Sequence, residues 1–187
     1  MRIISGSFKG KKIYEPKNKS TRPLKDLTKE SLFNIIQHSN KFSVQIKNSK
    51  ILYLFSGVGS LGLECLSRGA LHVTFIENYK EVLPVLKKNI VSLNYLKKSK
   101  IIEKDIFKHL DFNILNSKFD IIFIDPPYKE KILSELLTKI SQAKILNKEG
   151  IIIIHRHKNE KDEFQKSFSI LEEKQYGISK IIFGNFV

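Results

Sequence analysis

Residues 51–62 read ILYLFSGVGSLG, and this stretch decides the fold class. The apolar run from Ile51 to Phe55, which is followed by glycines, predicts a buried strand. A loop with the spacing G-x-G-x-x-G follows it, and Leu61 to Arg68 predicts a helix with Gly69 as its C-cap. A strand, a glycine loop and a helix in this order are typical of the first unit of a doubly wound α/β sheet that binds a nucleoside.

The alternation of strands and helices continues toward the C-terminus. Apolar runs predict further strands at residues 73–76, 100–103, 119–124 and 150–154, and helices are predicted at 81–93 and 131–143. Because βαβ crossovers make consecutive strands parallel, we predict an α/β fold with a mostly parallel sheet. Residues 170–183 predict a terminal hairpin around Tyr176-Gly177, which gives the sheet an antiparallel edge.

The first quarter of the chain is strongly basic. Residues 1–50 hold twelve basic and three acidic side chains, a net charge of +9 out of +14 for the whole chain. A codon bias toward lysine would spread the lysines evenly, whereas a local excess favours a polyanionic partner, with a merely solvated tail as the alternative. We therefore predict that this segment binds nucleic acid.

We predict one domain over residues 1–187, with a basic RNA-contacting extension at 1–45 and a Rossmann-like catalytic core at 46–187. Within the extension, the pattern predicts a small hairpin, a loop and a helix, at residues 3–14, 20–23 and 27–37. The single cysteine, Cys65, excludes an internal disulfide and a cysteine-built zinc site. The chain shows no secretory signal and no apolar run of membrane-spanning length, so we expect a cytoplasmic protein.

Residues around the glycine loop are candidates for binding a cofactor. Glu77 lies 20 residues after Gly57, at the end of the second predicted strand, where an acid can bind ribose hydroxyls. This pattern fits a nicotinamide dinucleotide as well as S-adenosylmethionine. Asp105, after the third strand, is either an acceptor for the adenine amine or a helix N-cap. The predicted cofactor-binding residues are Phe55, Ser56, Gly57, Gly59, Glu77 and Asp105.

Asp125-Pro126-Pro127-Tyr128 directly follows the fourth predicted strand, at the carboxyl edge where open α/β sheets bind ligands. The Asp125 carboxylate and the Pro126 carbonyl can accept the two hydrogens of an exocyclic base amine and direct its lone pair at a methyl sulfonium. The prolines fix φ and lack competing N–H donors, and Tyr128 offers a face for base stacking. We predict that all four residues are catalytic; alternatively, the prolines only end the strand and Asp125 begins a turn.

Motifs along essentially the whole chain carry a family resemblance. They are Arg2-Ile3-Ile4, Gly6, Lys9-Gly10-x-Lys12-Ile13, Arg22-Pro23, Lys29-Glu30-x-Leu32-Phe33-Asn34, Phe55-x-Gly57-x-Gly59-x-Leu61-Gly62-x-Glu64 and Ser67-Arg68-Gly69-Ala70. With the Asp125 motif, they make the sequence similar to the RsmD family of bacterial 16S rRNA guanine-N2 methyltransferases. The Asp125 motif is shared with adenine-N6 enzymes, so it does not identify the target base. The N-terminal motifs are what make the sequence similar to the guanine-N2 family.

The resemblance implies a class I methyltransferase fold with a seven-stranded sheet. It implies S-adenosylmethionine as cofactor and S-adenosylhomocysteine as product. We predict no metal site. The implied substrate is one guanine of 16S rRNA within the small ribosomal subunit or a late assembly intermediate. Nothing in the sequence demands more than a monomer. The implied RNA contacts lie in the basic extension, at Arg2, Lys9, Lys11, Lys12, Arg22 and Lys29.

Three positions depart from the family pattern. Tyr53 stands where the family usually has an acid that orders the methionine end of the cofactor, and Leu24 replaces a threonine beside the RNA loop. After the fifth strand, the usual acidic residues are replaced by residues 155–158, His-Arg-His-Lys. His155 and His157 could bind a metal or form a basic rim toward the substrate, but we expect this segment to be solvated.

Three other functions fit parts of the pattern. Adenine-N6 methylation of DNA or RNA uses the same amine chemistry, and the modified nucleoside distinguishes it. A nicotinamide-dependent oxidoreductase fits the glycine loop but gives the Asp125 motif no role. A non-catalytic ribosome-assembly factor with the same fold is suggested only by Tyr53.

Overall fold

The computed structural model describes residues 1–16, 24–106, 108, 111–127 and 133–187. The strands are β1 Lys50–Leu54, β2 His72–Ile76, β3 Ser99–Ile102, β4 Phe119–Ile124, β5 Leu146–His157, β6 Phe168–Tyr176 and β7 Ser179–Phe186. The helices are α1 Asp26–His38, α2 Ser60–Ser67, α3 Leu83–Ser92 and α4 Leu133–Gln142, with short 3₁₀ turns at Leu96–Lys98 and Phe112–Leu115. The predicted loop at 20–23 lies outside the described residues.

The seven strands form one sheet in the order β3-β2-β1-β4-β5-β7-β6. Strands β1 to β5 pair in parallel, and β7 runs antiparallel between β5 and β6. The order reverses between β1 and β4, which is the switch point where such sheets open a crevice for a ligand. The doubly wound sheet, its antiparallel edge and the terminal hairpin are confirmed.

The register of the parallel strands aligns their carboxyl ends. Leu54 pairs with Ile76 and with Ile124, Ile76 pairs with Ile102, and Ile124 pairs with Ile154. The residue after each of these five positions therefore lies at one edge of the sheet. Because side chains alternate between faces along an extended strand, the side chains of Asp125 and His155 share the face opposite to that of the aligned row, where they contact each other.

A hydrophobic core covers each face of the sheet. Helices α1, α2 and α3 pack on the face that carries Ile51 and Phe123, whereas α4 packs on the face that carries Leu52 and Ile122. Strands buried on both faces explain the near-continuous apolar runs of the sequence. No helix in the described part of the chain combines the length and apolarity that a bilayer span requires.

The N-terminal extension packs on the α2 side of the sheet. Its predicted hairpin is reduced to a single antiparallel bridge between Arg2 and Lys12, and Ile3 and Ile13 are buried in the same core as the sheet. The carboxylate of Glu64, in α2, accepts hydrogen bonds from the backbone N–H groups of Ile4 and Ser5 at 2.7 and 2.9 Å. The extension is thus fastened to the core by backbone hydrogen bonds.

Strand β5 is longer than the sequence predicted. Residues 150–154 were predicted as strand, but β5 continues to His157, and residues 152–157 pair with β7. The pairing partner lies more than twenty residues away in sequence, so local periodicity does not reveal it. The expectation that residues 155 and 156 are solvated is wrong, because His155 and Arg156 are buried.

Candidate active site

The glycine loop joins β1 to α2 through three residues with positive φ. Phe55, Gly57 and Gly59 have φ of 57°, 52° and 88°, a region that favours glycine. A Cβ on Gly59 would lie 2.5 Å from Leu86 Cδ1, so that position also lacks room for a side chain. Around Gly57, by contrast, a Cβ would meet nothing within 4 Å. The loop is shaped by packing at Gly59 and leaves open space at Gly57.

Glu77 immediately follows β2 and is fixed by backbone amides. Its Oε2 accepts from the Gly57 N–H at 2.7 Å, and its Oε1 accepts from the N–H groups of Asn78 and Tyr79 at 2.9 Å each. A carboxylate has about four acceptor positions. The described contacts use three of them, which leaves one position on Oε2 for a ligand hydroxyl.

Ser56 supplies a buried polar atom at the same edge. Its side chain is buried, and its Oγ has no hydrogen-bond partner among the described residues. An unpaired buried hydroxyl is costly unless a ligand or water completes it. Ribose hydroxyls of S-adenosylmethionine can donate to Glu77, and its polar groups can accept from Ser56. The residues present therefore fit this cofactor.

Asp105 follows β3, and its side chain contacts the turn that comes after it. Its Oδ1 accepts from the backbone N–H of Lys108 at 3.2 Å, three residues further on. This is the hydrogen bond that the N-cap alternative predicts. The contact does not exclude an adenine contact, so the cofactor role of Asp105 stays a prediction.

Asp125 follows β4 at the carboxyl edge, as predicted. Its backbone N–H donates to the Leu54 carbonyl at 3.3 Å, which holds it beside the end of β1. Its side chain is 26% exposed, whereas Pro126 is buried and Pro127 is exposed. Tyr128 lies outside the described residues. The structure thus places an accessible carboxylate at the same sheet edge as Glu77, with one strand, β1, between them.

Two side chains that the sequence analysis did not assign to the site contact the Asp125 carboxylate. His155 Nδ1 lies 2.8 Å from Oδ1, and the Tyr53 hydroxyl donates to Oδ2 at a longer 3.4 Å. Burial, reinforced by the charge of Asp125, raises the pKa of Tyr53 well above its usual value, so this hydroxyl stays protonated and donates. The only signal in the sequence was that both residues replace acids usual in the resembled family.

Arg156, next to His155, forms buried ion pairs that stabilise the fold. It is buried and forms an ion pair with Asp162 at 2.9 Å and a longer one with Glu160 at 3.5 Å. Among the described residues, no cluster of three His, Cys, Asp or Glu side chains could hold a metal ion. His155 and Arg156 therefore contribute strand pairing and buried polar contacts.

The predicted RNA contacts differ in accessibility. Arg2, Lys9, Lys11 and Lys12 are exposed, although Arg2 pairs with Asp26 and Lys11 donates to the Ser92 carbonyl. Arg22 lies outside the described residues.

The prediction that Lys29 contacts RNA is wrong. Its side chain is 1% exposed, and its Nζ donates to the Arg2 carbonyl and lies 3.8 Å from Glu64. Burial lowers the pKa of the Lys29 ammonium, and the charge of Glu64 opposes this shift. Lys29 therefore stabilises the attachment of the extension to the core.

The extension reaches the glycine loop through Asn89 of α3. This fully buried amide accepts from the Tyr14 N–H at 2.7 Å and donates to the carbonyls of Tyr14 and Val58 at 3.1 and 3.0 Å. Tyr14 belongs to the basic extension, and Val58 lies in the glycine loop. One side chain thus links the two segments.

Comparison with known proteins identifies the family. The model of the family described as Conserved hypothetical protein 95 matches residues 1–185. YlbH of Bacillus subtilis, named provisionally as an rRNA methyltransferase, is 33% identical over 97% of this chain and 96% of its own length. Ribosomal RNA small subunit methyltransferase D of Buchnera aphidicola is 34% identical over 92% of this chain and 86% of its own.

Solved structures agree with this relationship. The protein yhhF of Escherichia coli, provisionally named a methyltransferase, superposes with a TM-score of 0.80 and 27% identity, covering 100% of this chain and 97% of its own. The sheet order and the residues at its carboxyl edge fit the same class. The chain therefore belongs to the Conserved hypothetical protein 95 family, together with ribosomal RNA small subunit methyltransferase D proteins, and has the class I fold of methyltransferases that use S-adenosylmethionine.

Proposed function

We propose that this protein transfers a methyl group from S-adenosylmethionine to the exocyclic N2 of one guanine in 16S rRNA of the small ribosomal subunit. The observation that carries the proposal is the position of Asp125. It lies at the end of β4, directly across β1 from the end of β2, where Glu77 lies. A cofactor held by Glu77 and a base amine held by Asp125 would therefore meet at the switch point of the sheet.

The chain's own residues divide the work between cofactor and acceptor. When bound, S-adenosylmethionine supplies an electrophilic methyl group on a sulfonium. Glu77 would accept from a ribose hydroxyl, and Ser56 would donate to the cofactor with its otherwise unpaired Oγ.

On the acceptor side, Asp125 and the Pro126 carbonyl would accept the two amine hydrogens and orient the nitrogen lone pair. The proton that the methylated amine releases would pass to the Asp125 carboxylate. Tyr128, two residues after Pro126, would offer its ring to the extruded base.

The basic extension supports an RNA substrate. Exposed cationic side chains at Arg2, Lys9, Lys11 and Lys12 can contact phosphates without reading sequence. Because Asn89 joins Tyr14 to the glycine loop, this part of the extension lies beside the carboxyl edge of the sheet. The names of relatives at 30–34% identity support ribosomal RNA as the class of substrate. Adenine-N6 methylation is the competing function, since Asp125 would orient any exocyclic amine.

Product identification tests the proposal. The purified protein is incubated with isotope-labelled S-adenosylmethionine and small ribosomal subunits that lack base methylation, and the RNA is digested to nucleosides for mass spectrometry. We expect labelled N2-methylguanosine at one position, and no label with the Asp125→Ala variant. N6-methyladenosine as the labelled product would support the competing function and overturn the guanine assignment.

A further inference from the structure

The Asp125 carboxylate forms a hydrogen bond with a buried imidazole. His155 Nδ1 lies 2.8 Å from Asp125 Oδ1, and His155 Nε2 lies 3.0 Å from the Ser179 Oγ. We propose that His155 is a positioning residue for methyl transfer, which fixes the Asp125 carboxylate in the orientation that receives the base amine. This inference rests on the proposed function and names a residue of the same site.

The hydrogen-bonding roles follow from the chemistry of the partners. An ionised carboxylate only accepts hydrogen bonds, so His155 Nδ1 must carry the hydrogen and donate it to Asp125. In the neutral imidazole, Nε2 is then an acceptor, and the Ser179 hydroxyl donates to it. The carboxylate at Nδ1 therefore sets the tautomer of His155, and the Ser179 hydroxyl, which can donate or accept, stabilises that tautomer by donating to Nε2.

The strand register explains why these side chains meet. Asp125 and His155 follow the paired residues Ile124 and Ile154 on neighbouring strands. Side-chain alternation places them on the same face as Tyr53 of β1. Ser179, the first residue of β7, pairs with His157, two residues after His155. Four strands thus contribute one side chain each to a single group of hydrogen bonds.

Burial separates the positioning groups from the reacting group. The side chain of His155 is 5% exposed, whereas that of Asp125 is 26% exposed. His155 is therefore shielded from a bound base, and Asp125 is accessible to it. With one contact on each oxygen, from His155 and Tyr53, each oxygen of Asp125 retains an acceptor position that can receive an amine hydrogen.

A purely structural role for His155 makes a different prediction. A buried histidine that only ties β4 to β5 would affect the free energy of unfolding and leave kcat unchanged in the folded protein. A positioning residue would affect kcat, because a carboxylate free to rotate spends less time in the reactive geometry. The KM for ribosomal subunits and the Kd for S-adenosylhomocysteine would stay unchanged in both cases.

The kinetic experiment compares four full-length variants with the wild type: His155→Ala, His155→Asn, Tyr53→Phe and His72→Asn. We expect His155→Ala to lower kcat by about 10- to 100-fold, because a hydrogen bond to a charged group is lost. His155→Asn keeps an N–H donor near the position of Nδ1 and should restore most of the lost rate. Tyr53→Phe removes the longer contact and should have a smaller effect. His72 lies at the start of β2, away from the carboxyl edge of the sheet. The His72→Asn control should leave kcat unchanged.

A spectroscopic experiment tests the hydrogen bond without turnover. Nitrogen-15 NMR of the labelled imidazoles should show the hydrogen of His155 on Nδ1, and the Ser179→Ala variant should shift this balance toward Nε2. Thermal unfolding and S-adenosylhomocysteine binding confirm that each variant is folded.

The outcomes separate the two proposals. If the wild type forms no N2-methylguanosine, the proposed function fails, whereas the NMR result still decides whether His155 donates to Asp125. If the wild type methylates guanine but His155→Ala has an unchanged kcat, or if the hydrogen resides on Nε2, the positioning role is overturned and the function stands.

Discussion

The loop after β1 and the loop after β4 lie side by side at one sheet edge, but they are built differently. The first uses the backbone: residues with positive φ shape it, and its Gly57 amide helps to fix Glu77, which follows β2, together with the amides of Asn78 and Tyr79. The second uses side chains: Tyr53 and His155 hold Asp125 from neighbouring strands. A motif that acts through its backbone can be recognised in sequence, whereas a site assembled from distant side chains cannot. We therefore expect substitutions in the two loops to affect different steps.

The largest expected effect is on the acceptor side. Asp125→Ala should lower kcat about 10³-fold, because it removes the group that orients the amine and takes its proton. The Kd for S-adenosylhomocysteine, measured by calorimetry, should stay near the wild-type value. A rise in this Kd as large as the fall in kcat would show that the two loops form one functional unit.

Gly59→Ala should destabilise the protein by about 2–3 kcal/mol, because the new Cβ combines positive φ with overpacking. It would lie 2.5 Å from Leu86 Cδ1. Gly10→Ala is the matched control, since Gly10 has a φ of 84° but nothing within 4 Å of the added Cβ. It should cost only about 1 kcal/mol. Equal losses in urea unfolding would mean that packing around Gly59 does not shape the loop.

Glu77→Ala should raise the Kd for S-adenosylhomocysteine about 10- to 100-fold. The substitution removes the ribose acceptor and leaves the amides of Gly57, Asn78 and Tyr79 without their partner. At saturating S-adenosylmethionine, kcat should change little. Glu135→Ala, an exposed acid in α4, is the control for loss of charge. A fall in kcat with unchanged affinity would place Glu77 on the acceptor side instead.

The smallest expected effect concerns Ser56. Ser56→Ala should weaken S-adenosylhomocysteine binding by about 2- to 10-fold, because the cofactor loses one hydrogen bond. The ligand-free protein should lose no stability, since the Ser56 Oγ has no partner among the described residues. Ser99 also has an unpaired buried Oγ, but it begins β3 at the opposite edge of the sheet. Unchanged affinity in Ser56→Ala, matching that of Ser99→Ala, would remove Ser56 from the cofactor site.

The sequence predicted the fold because the signals were local. Strand β4 was predicted at its observed bounds, and the glycine at position 69 has the positive φ expected of a C-cap. The position of Asp125 at the carboxyl edge follows from its place after β4.

The sequence did not predict contacts that depend on long-range pairing. His155 meets Asp125 only because β4 and β5 pair in one register, thirty residues apart in sequence. Lys29 was assigned to RNA because it is basic and lies in a basic segment. Its burial depends on Glu64 and the Arg2 carbonyl, which composition does not reveal.

Because the strand ends are aligned, a change in the length of one strand would disturb this site more than a change in the length of a loop. Phe55, Glu77, Asp125 and His155 each follow a residue of the paired row at the carboxyl edge. A one-residue deletion within β4 that preserved its pairing would turn Asp125 to the face covered by α4, away from Tyr53 and His155. Insertions in the connections before each strand leave this alignment intact. We therefore expect related sequences to differ in the lengths of the loops and to keep the lengths of the strands.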